Sequence, residues 1–585
     1  MNHLIADHLD IWTTAELPKK KGGRGRGANS KKSPHGIQKL RELILELAVR
    51  GKLVPQDPSD EPASELLKKI ATEKAKQIKA GEIKKPKPLP SIGEDQKPVG
   101  LPKGWAWTQF GTVAEIERGG SPRPIKSFLT DDPDGLNWIK IGDTDQGGKF
   151  ITSTNEKIRR EGLIKTRMVY PGDFLLTNSM SFGRPYITKV EGCIHDGWLR
   201  ISPPPTIDKD YLYLLLSSPY VVNAFKAVAA GAVVLNLNAD KVREIGILIP
   251  PVNEQQRIAA KVDELMGLCD KLEQEQAESG EAHQQLVETL LGTLTRAENN
   301  TEREAAWQRI AEHFDILFTT EASIDQLKQT ILQLAVMGKL VPQDPTDEPA
   351  SQLLKKIASE KERLIKEKKI KKKKPLQEIS EDEVIFTLPQ SWEWVRLGLA
   401  LKKITDGTHH SPPNGERGDY LYISAKNIKN EGVQISNATY VTKDVHEEIY
   451  SRCDPVCGDV LYIKDGATTG IVTINDLSEP FSMLSSVALL KCTEGVLNSY
   501  LLLALRSPYF YDEMRAGMTG VAITRVTLKK LDHAFISLPP LEEQHRIVAK
   551  VDELMAACDN LKERLQEARV IQVQLADAIV EQAVA

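Results

Sequence analysis

The residue types that could do chemistry in this chain fall into a few short clusters. His409-His410 and the Cys453-x3-Cys457 pair carry the side chains of a zinc site, but neither has a second pair at ligand spacing to complete it. A glycine-rich phosphate loop of the Gly-x4-Gly-Lys-Ser/Thr kind is absent. Asp and Glu are plentiful but scattered, and no two make a paired acid–base site. What remains is directional hydrogen bonding from polar loops. One set comprises Gly119-Gly120-Ser121-Pro122-Arg123, the run NSMSFGR over 178–184 (Asn178, Ser179, Ser181, Arg184), and Asn236 with Asn238 after Gly231. A second set comprises Asp406-Gly407-Thr408-His409-His410-Ser411, the run KDGATTG over 464–470 (Lys464, Thr468, Thr469), and Thr524 with Arg525 after Gly520. Asn suits adenine edges, Arg and Lys suit guanine, and Ser or Thr suits either base or phosphate. Turn chemistry accounts equally well for many of these Gly, Asn and Ser residues.

Both sets lie between blocks that are written twice. Residues 44–70 and 331–357 agree at 23 of 27 positions with an offset of 287. Residues 250–272 and 539–561 agree at 16 of 23 positions with an offset of 289. His8, Asp10 and Ile11 near the start are echoed by His313, Asp315 and Ile316, except that the first copy is 18 residues longer before its GKLVPQD block. The extra stretch includes residues 19–34, with seven basic residues and no acidic ones, a composition that cannot bury a core and predicts a disordered insertion. The segments between the blocks, about 105–250 and 392–539, resemble each other far less. A scaffold kept in duplicate around two diverged segments suits a molecule that recognises two different things.

The duplicated blocks read as helices. Ile258, Val262, Leu265, Cys269 and Leu272 recur at spacings of 4, 3, 4 and 3, as do Ile547, Val551, Leu554, Cys558 and Leu561. That is the seam of a coiled coil, and two such helices would pack on each other as a spacer. The first is expected over about 253–296, with Asn253 and Gln256 suited to its capped start and Ser279-Gly280 a possible interruption. Earlier helices are expected at Ile37–Val49 and Ile324–Val336, then from Ser64 and Ser351, followed by the lysine runs Lys84-Lys85-Pro-Lys87 and Lys371–Lys374. Trp105, Trp107, Trp392 and Trp394 are expected to pack in the core or at domain edges rather than to stack on bases.

At 585 residues the chain is long enough for two or more domains. Six scattered cysteines, no signal peptide and no apolar run of membrane length fit a cytoplasmic protein without a membrane partner. The net charge of −4 does not by itself suggest a nucleic-acid binder. Segment 105–250 holds 17 basic and 16 acidic residues, and 392–539 holds 15 and 17, so neither is basic as a whole.

These duplicated blocks, with ILQLAVMGKLVPQDPTDEPASQLL and LPPLEEQHRIVAKVDEL as their longest carriers, resemble the type I restriction-modification specificity subunits over nearly the full chain. The resemblance implies a mixed α/β (α+β) fold with two pseudo-symmetric target recognition domains separated by long antiparallel coiled-coil helices. The expected divisions are a helical region over 1–100 with its basic insertion at about 17–34, recognition domains over 101–250 and 388–539, a central spacer and repeat block over 251–387, and a C-terminal spacer over 540–585. It further implies a non-catalytic subunit that reads a bipartite double-stranded DNA target and binds no cofactor itself. Two modification subunits would bring S-adenosylmethionine, and two restriction subunits would bring ATP and Mg²⁺. The Pro-Pro pairs here are not the Asn/Asp-Pro-Pro-aromatic motif of adenine methylases. Family members often place a Ser/Arg- and Gly-containing loop where Asn178 and Lys464 stand here, and an asparagine near Asn236 and Arg525. Rival readings are a self-contained methyltransferase or nuclease, and a two-headed protein scaffold.

Overall fold

A computed structural model describes residues 1–17, 33–81, 83, 88–90, 100–145, 147–178, 182–229, 237–516 and 525–584. Ser179, Ser181, Asn236, Thr524 and most of the basic insertion lie outside the described residues. Contacts divide the chain into two units, Met1–Ser279 with Ala568–Ala585, and Gly280–Glu567.

Each unit is built on a helix whose apolar residues recur every three or four positions: α1 (His35–Val49) with Ile37, Leu40, Leu43, Ile44 and Leu47 buried. The helix ends where the sequence places Gly51, at φ +68°. The Lys52 and Gly51 N–H groups then bond back to the carbonyls of Leu47 and Ala48. A side chain at Gly51 would strike the Pro102 and Trp105 rings. After a Pro-rich loop comes α2 (Ala63–Lys79). The chain then enters the first globular segment and returns as α3 (Val252–Arg296). The second unit repeats the plan with α4 (Glu321–Val336), the same turn at Gly338, α5 (Ala350–Lys366) and α6 (Leu541–Val584).

Each globular segment is closed by pairing its first and last strands. Ala106–Gln109 runs antiparallel to Gly246–Ile249, and Glu393–Arg396 to Phe535–Leu538. Trp105 and Trp392, just before these clasps, are buried. A lysine from the preceding helix reinforces each clasp. Lys74 Nζ donates to the Gly111 and Thr112 carbonyls, and Lys361 Nζ to those of Gly398, Leu399 and Leu401. The first segment holds two five-stranded sheets, one in the order Glu115–Arg118, Trp198–Ser202, Phe174–Thr177, Pro185–Thr188, Phe150–Ile151. The matching sheet in the second segment has four strands: Leu401–Asp406, Val487–Cys492, Val460–Ile463 and Val472–Ile474.

The seam residues Ile258, Val262, Leu265 and Cys269 are buried in one core with the apolar face of α1, and Ile547, Val551 and Cys558 in one core with α4. Leu272, Leu554 and Leu561 pack at the margins of these cores. Both long helices are split between units, α3 at 279/280 and α6 at 567/568. Within the first unit α3 runs against α1, since Arg41 meets Asp270 and Glu273 while Gln276 reaches Thr13. The end of α6 runs along α1, from Asp577 at His35 to the Val584 carbonyl at Arg50. The two long helices are therefore antiparallel within that unit. In the second unit Lys328 and Asp325 meet Asp559 and Lys562 of α6, while Gln326 meets Glu288 of α3. Helix α3 continues without a break through Ser279-Gly280, where added bulk would meet nothing within 4 Å. Asn253 does not cap it. The helix begins one residue earlier, directly after Pro251, and Asn253 Nδ2 donates instead to Asp60.

Asp60 also accepts from Arg257 at 2.6 Å, as Asp347 does from Arg546 at 2.6 Å, tying each Pro-rich loop to its long helix. The Arg257 hydrogen bond holds the Asp60 carboxyl below its ordinary range, against the opposing effect of burial. A depressed folded value means stability that is complete above the unfolded value of about 3.9 and is lost as pH falls through the folded one. Asp60→Asn should therefore destabilise the protein by about 1–3 kcal/mol at pH 7 and flatten the loss below about pH 4. Urea titrations of both proteins at pH 7 and pH 3.5 check this; an unchanged gap between the two proteins at the two pH values would contradict it. No single helix among the described residues is long and apolar enough to cross a membrane.

Candidate nucleic-acid interface

In both globular segments the polar loops gather at one end of a sheet because adjacent strands stop together. In the first, Glu115–Arg118 leads into Gly119-Gly120-Ser121, Phe174–Thr177 leads into Asn178, and the strand between them, Trp198–Ser202, is entered through His195-Asp196-Gly197. In the second, Leu401–Asp406 leads into Gly407-Thr408 and Val460–Ile463 into Lys464, flanking Val487–Cys492.

Asn178 and Lys464 occupy one backbone position in two settings. Their N–H groups donate to the carbonyls of Gly197 (3.0 Å) and Ser486 (2.9 Å), and their carbonyls accept from Leu237 (2.9 Å) and Val526 (2.7 Å). The side chains diverge from there. Asn178 is buried and its Nδ2 donates to the Asp196 carbonyl at 2.7 Å. Ser121 Oγ donates to Asp196 Oδ1 at 2.7 Å, and Arg123, 81% exposed, lies 3.6 Å from Oδ2. The Ser121 hydroxyl is the main influence holding the Asp196 carboxyl below its usual range. Beside it, burial lowers the affinity of His195 for a second proton.

Lys464 is a buried cation, 2% exposed, held between Asp465 (2.9 Å) and Asp406 (3.5 Å). Asp406 is 1% exposed and also receives Arg452 Nη2 at 2.6 Å, with His409 Nε2 at 3.3 Å. Arg525, 59% exposed, sits 3.3 Å from Asp465. Thr408 Oγ1 donates to the His410 carbonyl at 3.1 Å, folding that loop onto itself.

The structure thus brings Ser121, Arg123 and Asn178 together, and likewise Thr408, His409, His410, Lys464 and Arg525. Their tasks differ. Asn178 Nδ2 and Lys464 Nζ are committed to protein partners, whereas Arg123, His409 and Arg525 are open to solvent. Arg184 is exposed beyond the Thr177 turn. The Asn238 side chain accepts from Lys241 N–H and so caps the helix Ala239–Glu244. Thr469 closes its own turn onto the Gly466 carbonyl, and the Thr468 carbonyl accepts from Ile471. Sequence reasoning passed over His195, Asp196 and Arg452, and named Asp406 and Asp465 only as parts of polar runs. Asp465 adjoins Lys464 and so was within reach. Arg452 ends the helix Lys443–Arg452 and carries no local signal. Among the described residues no three His, Cys, Asp or Glu side chains converge as metal ligands would. Cys453 is buried and Cys457 exposed.

The family model described as the type I restriction modification DNA specificity domain matches residues 102–279 and 389–569. The specificity subunit of the type I restriction enzyme EcoAI from Escherichia coli is 41% identical over 602 aligned positions, covering 99% of both chains. That of EcoEI, also from Escherichia coli, is 38% identical with the same coverage. Among solved structures, one described as the basis of complex assembly and conformational transition of the type I R-M system is 21% identical, with a TM-score of 0.44. It covers 83% of this chain and 99% of its own.

Proposed function

The chain belongs to the type I restriction-modification DNA specificity family, and we propose that it reads a bipartite DNA sequence with a fixed gap, one half by each globular segment. It is a specificity subunit with DNA-recognition domains. The observation that carries the bipartite reading is the shared backbone position of Asn178 and Lys464. One frame, built twice, presents two different sets of hydrogen-bonding groups, which suits two different half-sites. The candidate contacts are the solvent-open members of each set: Arg123 and Arg184 in one, His409, His410 and Arg525 in the other.

The chain itself catalyses nothing in this reading. Two modification subunits bring S-adenosylmethionine and methylate adenine, while two restriction subunits use ATP and Mg²⁺ to translocate and cut. Near-balanced charge in both segments supports leaving much of the phosphate attraction to the modification subunits. Joining two weak readers makes the second contact intramolecular, so affinity rises only at the right separation.

The test is to express the chain with its modification subunits in a host free of other adenine methylation and map the methylated sites by sequencing. Two short motifs at a constant gap are expected. A single continuous motif, or methylation independent of this chain, would overturn the reading.

A further inference from the structure

The second segment holds an arginine that is too well built to be incidental. Asp406 is buried at the end of a strand, and a carboxylate there needs compensation. It has two cations. Lys464 lies beneath, at 3.5 Å from Oδ2, and is itself buried. Arg452 lies at 2.6 Å from Oδ1 and is half exposed, as is His409, whose Nε2 is 3.0 Å from Arg452 Nη2. Nη2 of the guanidinium is thus held by both the buried carboxylate and His409 Nε2, which leaves Nη1 and Nε as its outward donors. Arg452 is also largely neutralised by its partner. A side chain in that state attracts phosphate weakly but keeps its directional donors.

The first segment supplies an independent parallel. Arg123 lies over Asp196, with His195 adjoining, beside the equivalent backbone position at Asn178. The two carboxylates come from different strand ends, so this pairing is not part of the duplicated frame.

We propose that Arg452, seated on Asp406, reads a guanine in the half-site of the second segment. Asp406 acts as its positioning residue, with Lys464 as the buried counter-charge 3.5 Å from its other oxygen. The chemistry is that of a guanidinium anchored through Nη2, whose Nη1 or Nε donates to the O6 or N7 acceptor of guanine in the major groove. This inference rests on the DNA-reading function above.

The experiment uses the full chain in complex with its modification subunits, acting on duplexes that vary one position of the mapped target at a time. Arg452→Ala should lower methylation of the native site roughly ten- to a hundredfold and abolish discrimination at one G·C pair of one half-site. The other half-site should be unchanged, and the melting temperature of the complex should fall only slightly, since Asp406 keeps Lys464. Arg452→Lys keeps the charge but cannot both hold Asp406 and present a second planar donor, and should lose the same discrimination. Asp406→Asn should weaken discrimination at that same position. Discrimination retained at every position in Arg452→Ala overturns the inference. So does a uniform loss on all sequences with the salt slope reduced by about one, the mark of a phosphate contact. If the unsubstituted complex shows no bipartite preference, the DNA-reading function itself fails, which is a separate result.

Discussion

A matched insertion of four helical residues, after Gly280 in α3 and after Glu567 in α6, should move methylation from the native target to one whose gap is longer by about two base pairs. The two positions are where each long helix passes from one unit to the other, and residues 278–282 and 566–568 are exposed, so the added turn displaces no packed side chain. Four residues add about 6 Å and about 40° beyond one full turn. Two base pairs add about 7 Å and about 70°. The mismatch in twist is small enough for the DNA to absorb. The native target should lose methylation by more than a hundredfold, since one misplaced half-site forfeits the intramolecular second contact. Insertion in one helix alone should abolish methylation at every gap. Methylome mapping of the three proteins decides this; continued methylation at the native gap would mean that the helices set no distance.

Lys464→Met should destabilise the second segment by about 1–3 kcal/mol, because it removes the buried cation and leaves Asp406 with only the half-exposed Arg452 and Asp465 with only the exposed Arg525. Removing charge from both sides should recover most of that loss. In the double variant Lys464→Met with Asp406→Leu, Asp465 still has Arg525. The coupling between the two sites should exceed about 1 kcal/mol in a double-mutant cycle. Additive losses would show that Lys464 matters through packing and not through charge. The double variant should still lose the guanine preference assigned to Arg452, which separates its folding from its reading.

The scaffold was legible because duplication exposes constraint. The helices ending at Val49 and Val336 and the packed Trp105 and Trp392 follow from spacings that local physics enforces. The three-four spacing through Ile258 and Ile547 marked buried faces without revealing that they pack with α1 and α4. The helix start was misjudged by one residue, since Asn253 looks like a cap until Asp60 claims its amide from about 190 positions away. The interface was legible only in outline. Polar loops marked where Ser121, Asn178, Thr408 and Lys464 lie, but not which of them faces solvent. Lys464 reads as a guanine contact in sequence and stands in the fold as a buried counter-ion. Arg452 was invisible because its partner Asp406 is 46 positions earlier and on a different kind of element. Only pairing across the sheet end brings them together.

The division of the long helices also bears on the order in which the protein can be made. Residues 568–584 belong to the first unit, where Ala576 is fully buried in its core, Asp577 meets His35 and Lys39, and the Val584 carbonyl meets Arg50 and Lys52. The first unit is therefore left open along one side of α1 while the ribosome works through about 300 further residues, a wait of roughly 15–60 s. A nascent chain so placed must keep its earliest apolar face from self-association until its last helix emerges. Completing that core requires closing a loop of more than 500 residues, on top of forming its helices.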